Sequence, residues 1–381
     1  LAVLASMGWW AATLIGARWP YFAMPPAPSP AGWAHAIAMQ YQVLPLFVFG
    51  FLLTVMPRWT NTQPYAARHY LPVSGTLLLG YLVTLAGLFG SAALLAAGIA
   101  ISLVGWLVGL VLLALTVWRD AGRTYHAVAC WAALAFGAIG LAMYALFLRT
   151  GDARLAFAAI KVGTFGLLLP VYLVVCHRMV PFFSQCVLPG YRVVRPAWAL
   201  GAIAALGVLH LLGELAHAYA WLWPIDAGIA ALTGWLAWQW QPWRARNIRL
   251  LLVLHWAFAW LPLAFALYAF QSAWFAATGE FILGRAPAHA LTIGYFGSML
   301  VAMVTRVTQG HSGRVLEMGS VAWACFLAMQ VVAVVRIASD LLPDAPAWHA
   351  VAGIAWLLAF APWVARNAWI YLTPRADGKP G

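Results

Sequence analysis

Residues 93–118, ALLAAGIAISLVGWLVGLVLLALTVW, run for 26 positions without a charge. About 20 helical residues cross the roughly 30 Å hydrocarbon core of a bilayer, so this stretch reads as a membrane-spanning helix with length to spare. Outward from it the same texture continues: 65% of the 381 residues are hydrophobic, 14% aromatic and only 8% charged, and the mean hydropathy is +0.87. A water-soluble domain carries about 25% charged residues to solvate its surface, so this composition excludes one.

Twelve stretches are long and apolar enough to span: 1–16, 32–56, 72–90, 93–118, 126–148, 154–177, 196–219, 222–240, 250–272, 286–305, 318–340 and 347–372. The run from 72 to 118 divides at Gly90-Ser91. The expectation is an all-α integral membrane protein of about twelve transmembrane helices, with residues 1–381 as one polytopic domain, because no connection is long enough to house a second. Leu1 is no start methionine and stands inside an apolar run, so the chain reads as lacking a short N-terminal piece, and no cleavable signal pattern is visible.

Charge orients the helices. Of the 21 Lys and Arg, 15 fall after even-numbered segments, among them Arg58, Arg119, Arg178, Arg244, Arg306, Arg366 and Lys379; Arg18, Arg149, Arg154 and Arg285 fall on the other side. The positive-inside rule makes the first side, with both termini, cytoplasmic. "Inner" and "outer" below follow this orientation. The net charge of +12 is then a matter of topology and anionic headgroups, and not a nucleic-acid surface. Many of the 23 Trp, including Trp59, Trp118, Trp221 and Trp243, stand at segment ends as an interfacial belt. Cys130, Cys176, Cys186 and Cys325 have no metal or redox spacing and read as small apolar fillers.

The second, sixth and tenth segments end alike, in Met56-Pro57-Arg58-Trp59-Thr60, His177-Arg178-Met179-Val180-Pro181 and Val304-Thr305-Arg306-Val307-Thr308. Their arginines are 120 and 128 residues apart, a period of four helices. Lys161, Gly166 and Arg178 repeat the offsets of His289, Gly294 and Arg306. Two readings stay open: coincidence among common helix-end arginines, or a three-fold pseudo-repeat of four-helix units. By architectural analogy alone, twelve helices in such groups are similar to the core subunit of haem-copper oxidases.

Ionisable residues within membrane segments are costly and are functional candidates by default. His210, Glu214 and His217 are spaced i, i+4, i+7 and share one helical face, where they could bind a transition metal, pass protons or simply join helices. Lys161 lies inside the sixth segment, with Glu214 as a candidate partner. His35 and His289 stand at the outer ends of the second and tenth segments, and neutral imidazole is a ligand for haem or copper. On the inner side, Thr305 to Arg314 gathers Arg306, His311 and Arg314 with hydroxyls and glycines, suited either to an anion such as a haem propionate or to a capped helix end.

The stretch His289-Ala-Leu-Thr-Ile-Gly294-Tyr-Phe-Gly-Ser-Met299, continuing through Met303-Val-Thr-Arg306-Val-Thr308 to Gly310-His-Ser-Gly-Arg314, resembles the signature of the NnrS family. Gly50 to Thr60 and Arg178 to Ser184 agree with it. The resemblance implies a polytopic protein of the bacterial cytoplasmic membrane, associated with haem, copper and the response to nitric oxide in nitrosative stress and denitrification. It implies cofactor contacts at His35, His289 and His311, supported by Arg58, Arg178, Arg306 and Arg314. The second segment departs from the family pattern: His35 and Met39 match, while Ile37 and Ala38 replace a histidine and a glutamate. Copper is therefore an open cofactor beside haem.

Three functions follow. The first is a haem-binding protein, with copper open, that protects against nitric oxide; the second is a proton-coupled or small-solute transporter using Lys161, His210, Glu214 and His217. The third, a turnover enzyme related to nitric oxide reductase, ranks below both because no adjacent His-His pair is present.

Overall fold

The structure, a computed structural model, describes residues 1–378; Lys379, counted above among the inner cations, lies outside the described residues. Twelve long helices hold most of the described residues, and no strand occurs among them. In chain order they are α1 (Ala2–Arg18), α2 (Ala31–Trp59), α3 (Ala67–Gly87), α4 (Ala92–Arg119), α5 (Tyr125–Thr150), α6 (Ala153–Val187), α7 (Ala197–Leu215), α8 (Trp223–Gln239), α9 (Arg249–Thr278), α10 (Ala286–His311), α11 (Ser320–Ala338) and α12 (Ala345–Leu372). Ten are long and apolar enough to cross a membrane; α1 and α8, at 17 residues each, are the shortest. Every expected segment has its helix, and the chain is an all-helical, multi-pass membrane protein.

The breaks have local causes. Between α3 and α4 the backbone turns at Gly90, whose φ of 113° only glycine adopts readily. Ser91 then caps α4 by accepting a hydrogen bond from the Leu94 N–H. α5 ends at Gly151 with φ 73°, and Asp152 caps α6 through the Arg154 N–H. Lipid is visible in what remains uncovered: α4 exposes Val104, Leu107, Val108 and Val111 along its length, a surface that water would penalise and acyl chains accept.

The described residues fall into two compact units, one of residues 2–13 and 22–175, the other of Leu1, residues 14–21 and 176–378, with the boundary inside α1 and α6. In the first, α3 and α4 touch backbone to backbone. A Cβ on Gly80 would lie 2.4 Å from Ser102 Oγ, and one on Gly98 would lie 2.3 Å from Thr84 Oγ1. Small residues at such crossings are how membrane helices approach when lipid removes the hydrophobic drive between them. Gln42, fully buried, ties this crossing to α2 by donating from Nε2 to Thr84 Oγ1 at 2.7 Å and Ser102 Oγ at 2.8 Å. In the second unit α10 packs on α9 and α11. The Trp260 indole donates to Gln330 Oε1 at 2.6 Å, and Gln330 Nε2 donates to Ser298 Oγ at 2.8 Å.

Candidate functional site

Three helices change their winding part-way along, and they are α2, α6 and α10. Residues Ala38–Val43, Val162–Leu168 and Ala290–Gly297 form π-helical turns between α-helical halves. The wider winding is rare, well under 1% of residues, and recurs at functional sites. Its onsets are 124 and 128 residues apart, so the four-helix period read from the arginines reappears as a backbone feature.

Proline explains two of the three. Pro45 and Pro170 occupy the second position of the resumed α-helix. A proline has no N–H for the carbonyl four residues back and its ring collides with that carbonyl. Widening the turn upstream relieves the collision: Leu44 N–H donates to Met39 O and Leu169 N–H to Thr164 O, each five residues back. The Tyr41 carbonyl, which Pro45 cannot serve, accepts instead from Trp106 Nε1 of α4 at 2.9 Å. The π turn of α10 contains no proline; within it Gly294 lies against Trp260 so closely that a Cβ would fall 2.5 Å from the ring.

The candidate ligands sit at these onsets. Lys161 and His289 are the residues immediately before the π turns of α6 and α10, Ile37 holds the matching place in α2, and His35 is two residues earlier. Within the first unit the two π segments meet: Gln40 Nε2 donates to Thr164 Oγ1 at 2.8 Å, and Tyr41 OH donates to the Ala159 carbonyl at 2.5 Å. The His35 ring lies flat on Trp10, 4.5 Å between centroids and 9° between planes. Lys161 Nζ stands 5.4 Å from the Phe157 ring centroid.

In the second unit, His289 Nδ1 is 2.9 Å from the Arg285 carbonyl oxygen. A carbonyl only accepts, so Nδ1 carries a hydrogen, the anchoring that ligating histidines use. Beside it, Asp340 accepts from Arg336 Nη1 at 3.0 Å, from the Arg285 N–H at 3.1 Å and pairs with His349 Nε2 at 2.7 Å. Burial alone would raise the Asp340 carboxyl; Arg336 and His349 outweigh it and hold it below the usual range.

The inner cluster is separate. Arg306 stacks its guanidinium 3.9 Å from the Phe183 ring centroid. Arg314 donates to Thr373 Oγ1 at 3.1 Å and lies over Trp369, while the His311 carbonyl accepts from Arg375 Nη1 at 2.8 Å. His289 and Arg306 stand 17 residues apart in one continuous helix, about 25 Å along its axis. Arg58, exposed, and Arg178, half-buried, also stand toward the inner ends of their helices, α2 and α6.

The trio on the seventh segment is divided. His210 and Glu214 share a buried face of α7, with His210 Nε2 3.6 Å from Glu214 Oε1. α7 ends at Leu215, however, and His217, at φ 54°, points away to the surface beside Tyr219 OH at 2.8 Å. Its place is taken by a residue the spacing did not indicate: Asp226 of α8, 1% exposed, whose Oδ1 is 2.5 Å from His210 Nδ1. The signal available in the sequence was a lone aspartate in the first turn of a membrane helix. Among the described residues no group of three or more His, Cys, Asp and Glu has the geometry to hold a metal ion. Asp340 and His349 were likewise not singled out.

No curated protein and no solved structure matches the chain significantly. One family does, described as NnrS protein, over residues 1–375. That span takes in all twelve helices and the three π turns, and the chain belongs to the NnrS family.

Proposed function

We propose that this NnrS-family membrane protein binds haem and serves the response to nitric oxide, protecting against nitrosative stress from the bacterial cytoplasmic membrane. The observation that supports it most is the His289 imidazole at the start of the α10 π turn, oriented through Nδ1 by the Arg285 carbonyl. His35, flat on Trp10, is the second ligand candidate, considered in its own unit. Bound haem would supply an iron able to bind nitric oxide; the chain would supply the ligating nitrogen and its fixed orientation. Arg285, at the outer side, would serve the propionates of a haem held by His289. His311, Arg306 and Arg314, with Arg58 and Arg178, then act at the inner side, in anion binding or in topology. Copper remains a second candidate, weakened by Ile37 and Ala38 where the family pattern has a histidine and a glutamate.

Haem content after haem-replete expression tests this reading. Wild type and the Lys161→Ala variant should carry haem and His289→Ala should not. Equal absence of haem from all three overturns it.

A further inference from the structure

The carbonyl that orients His289 belongs to a stretch of backbone that is itself held. The Arg285 oxygen accepts twice from the same residue, from the His289 N–H at 3.1 Å and from His289 Nδ1 at 2.9 Å. The first is the opening i, i+4 bond of α10, so the imidazole is fastened to the turn that starts the helix. Arg285 stands at the N-cap of that turn, and no side chain of its own segment caps it. Where the Arg285 backbone sits therefore decides where the ring points.

Asp340, from the connection between α11 and α12, fixes that backbone. Its Oδ2 accepts from the Arg285 N–H at 3.1 Å, on the other side of the same Cα, and its charge suits a helix N-terminus. The approach depends on Gly284, which has φ 52°. A Cβ there would fall 3.3 Å from Asp340 Cβ and 3.4 Å from its Cγ, so glycine lets the carboxylate close on the chain. The carboxylate is aimed in turn by charge-assisted contacts: Arg336 Nη1 donates to Oδ2 at 3.0 Å, and His349 Nε2 pairs with Oδ1 at 2.7 Å. Arg336, 9% exposed, is steadied by donating to Ser339 Oγ at 2.8 Å. All these residues belong to the second unit.

Neutralising Arg336 needs only the ion pair. It needs neither the bond to the Arg285 N–H nor the close approach at Gly284. We propose that Asp340 is a positioning residue for His289, holding the Arg285 backbone whose carbonyl orients the imidazole. Its service to a haem rests on the reading of His289 as a ligand; its effect on the ring does not. Partners that orient a ligating histidine typically contribute about 10–100-fold to the affinity of the site.

NMR of the full-length protein, labelled with 15N-histidine and held without haem in lipid nanodiscs, tests the proposal below the melting temperature of every variant. The His289 ring is assigned by its loss in His289→Ala. Wild type should show an Nδ1–H in slow exchange with water, and Asp340→Ala should speed that exchange several-fold. Asp340→Asn, which keeps an oxygen for the Arg285 N–H, should restore the wild-type signal. Gly284→Ala, which crowds the carboxylate, should act like Asp340→Ala and keeps the test valid should that variant fail to fold. Asp344→Ala, which breaks the neighbouring 2.9 Å ion pair with Arg18, should leave the ring signal unchanged. Haemin titrated into the same samples should bind Asp340→Ala about 10–100-fold more weakly than wild type. An unchanged His289 signal in Asp340→Ala, or an equal change in Asp344→Ala, would overturn the proposal. Wild type that takes up no haemin overturns the haem reading instead, and the ring signals still decide the role of Asp340.

Discussion

The indole Nε1 of Trp106 in α4 donates to the carbonyl oxygen of Tyr41 in α2 at 2.9 Å, and that carbonyl is the one Pro45 strips of its helical partner. A proline that would break a membrane helix is thereby accommodated: the chain widens, and a neighbour's side chain satisfies the exposed acceptor. Trp106→Phe keeps most of the packing and removes the donor. An unsatisfied buried carbonyl costs about 1–3 kcal/mol, so the variant should melt below wild type in detergent, and equal melting would show that the bond carries nothing.

The α3–α4 crossing predicts a steep difference between glycines. A Cβ on Gly98 would sit 2.3 Å from Thr84 Oγ1 and 2.4 Å from its backbone nitrogen, whereas Gly201 has nothing within 4 Å. Gly98→Ala should destabilise by about 1–3 kcal/mol, the usual cost of overpacking, while Gly201→Ala should be neutral or slightly favourable. Matched unfolding curves of the two variants check this.

The contact between the π segments of α2 and α6 should be measurable as a coupling. Gln40→Leu and Thr164→Val remove the two ends of a 2.8 Å bond. Their double-mutant cycle should return about 0.6–1.7 kcal/mol, the range for hydrogen bonds between membrane helices. Simple additivity would mean that the two turns are held in place by packing alone.

Asp340 predicts a pH dependence. Its carboxyl is held below the usual range by Arg336 and His349 against the opposing effect of burial. A depressed folded-state value means stabilisation that is full above the ordinary carboxylate range and is lost as pH falls through the folded value. Wild type should therefore melt above Asp340→Asn at neutral pH, and the gap should close on acidification. A gap that persists in acid would assign Asp340 a role as a hydrogen-bond acceptor only.

Much of this architecture is legible in the sequence because lipid imposes a simple rule on length and polarity; even the division at Gly90-Ser91 follows from two residues. The π turns are not legible. Their residues, AMQYQV, VGTFGLL and ALTIGYFG, share no pattern that marks the wider winding, and in α2 the cause lies partly in Trp106, 65 residues from the carbonyl it serves. The i, i+4, i+7 spacing puts His210 and Glu214 on one face of α7 but not His217, because the periodicity presumes a helix and this one stops at Leu215. Asp226 escaped notice since its partner is 16 residues away in another helix. The separation of His289 from Arg306 follows from their spacing in one helix and the helical rise.

The central claim is that the imidazole at the start of the α10 π turn is a haem ligand. It is tested most directly by the absorption spectra of purified protein, oxidised, reduced with dithionite and then titrated with nitric oxide, for wild type and His289→Ala side by side. The account predicts a Soret band in wild type that moves on reduction and again with nitric oxide, and that is absent from the variant. A colourless wild-type protein after haem-replete expression, or an unchanged spectrum in His289→Ala, would contradict it.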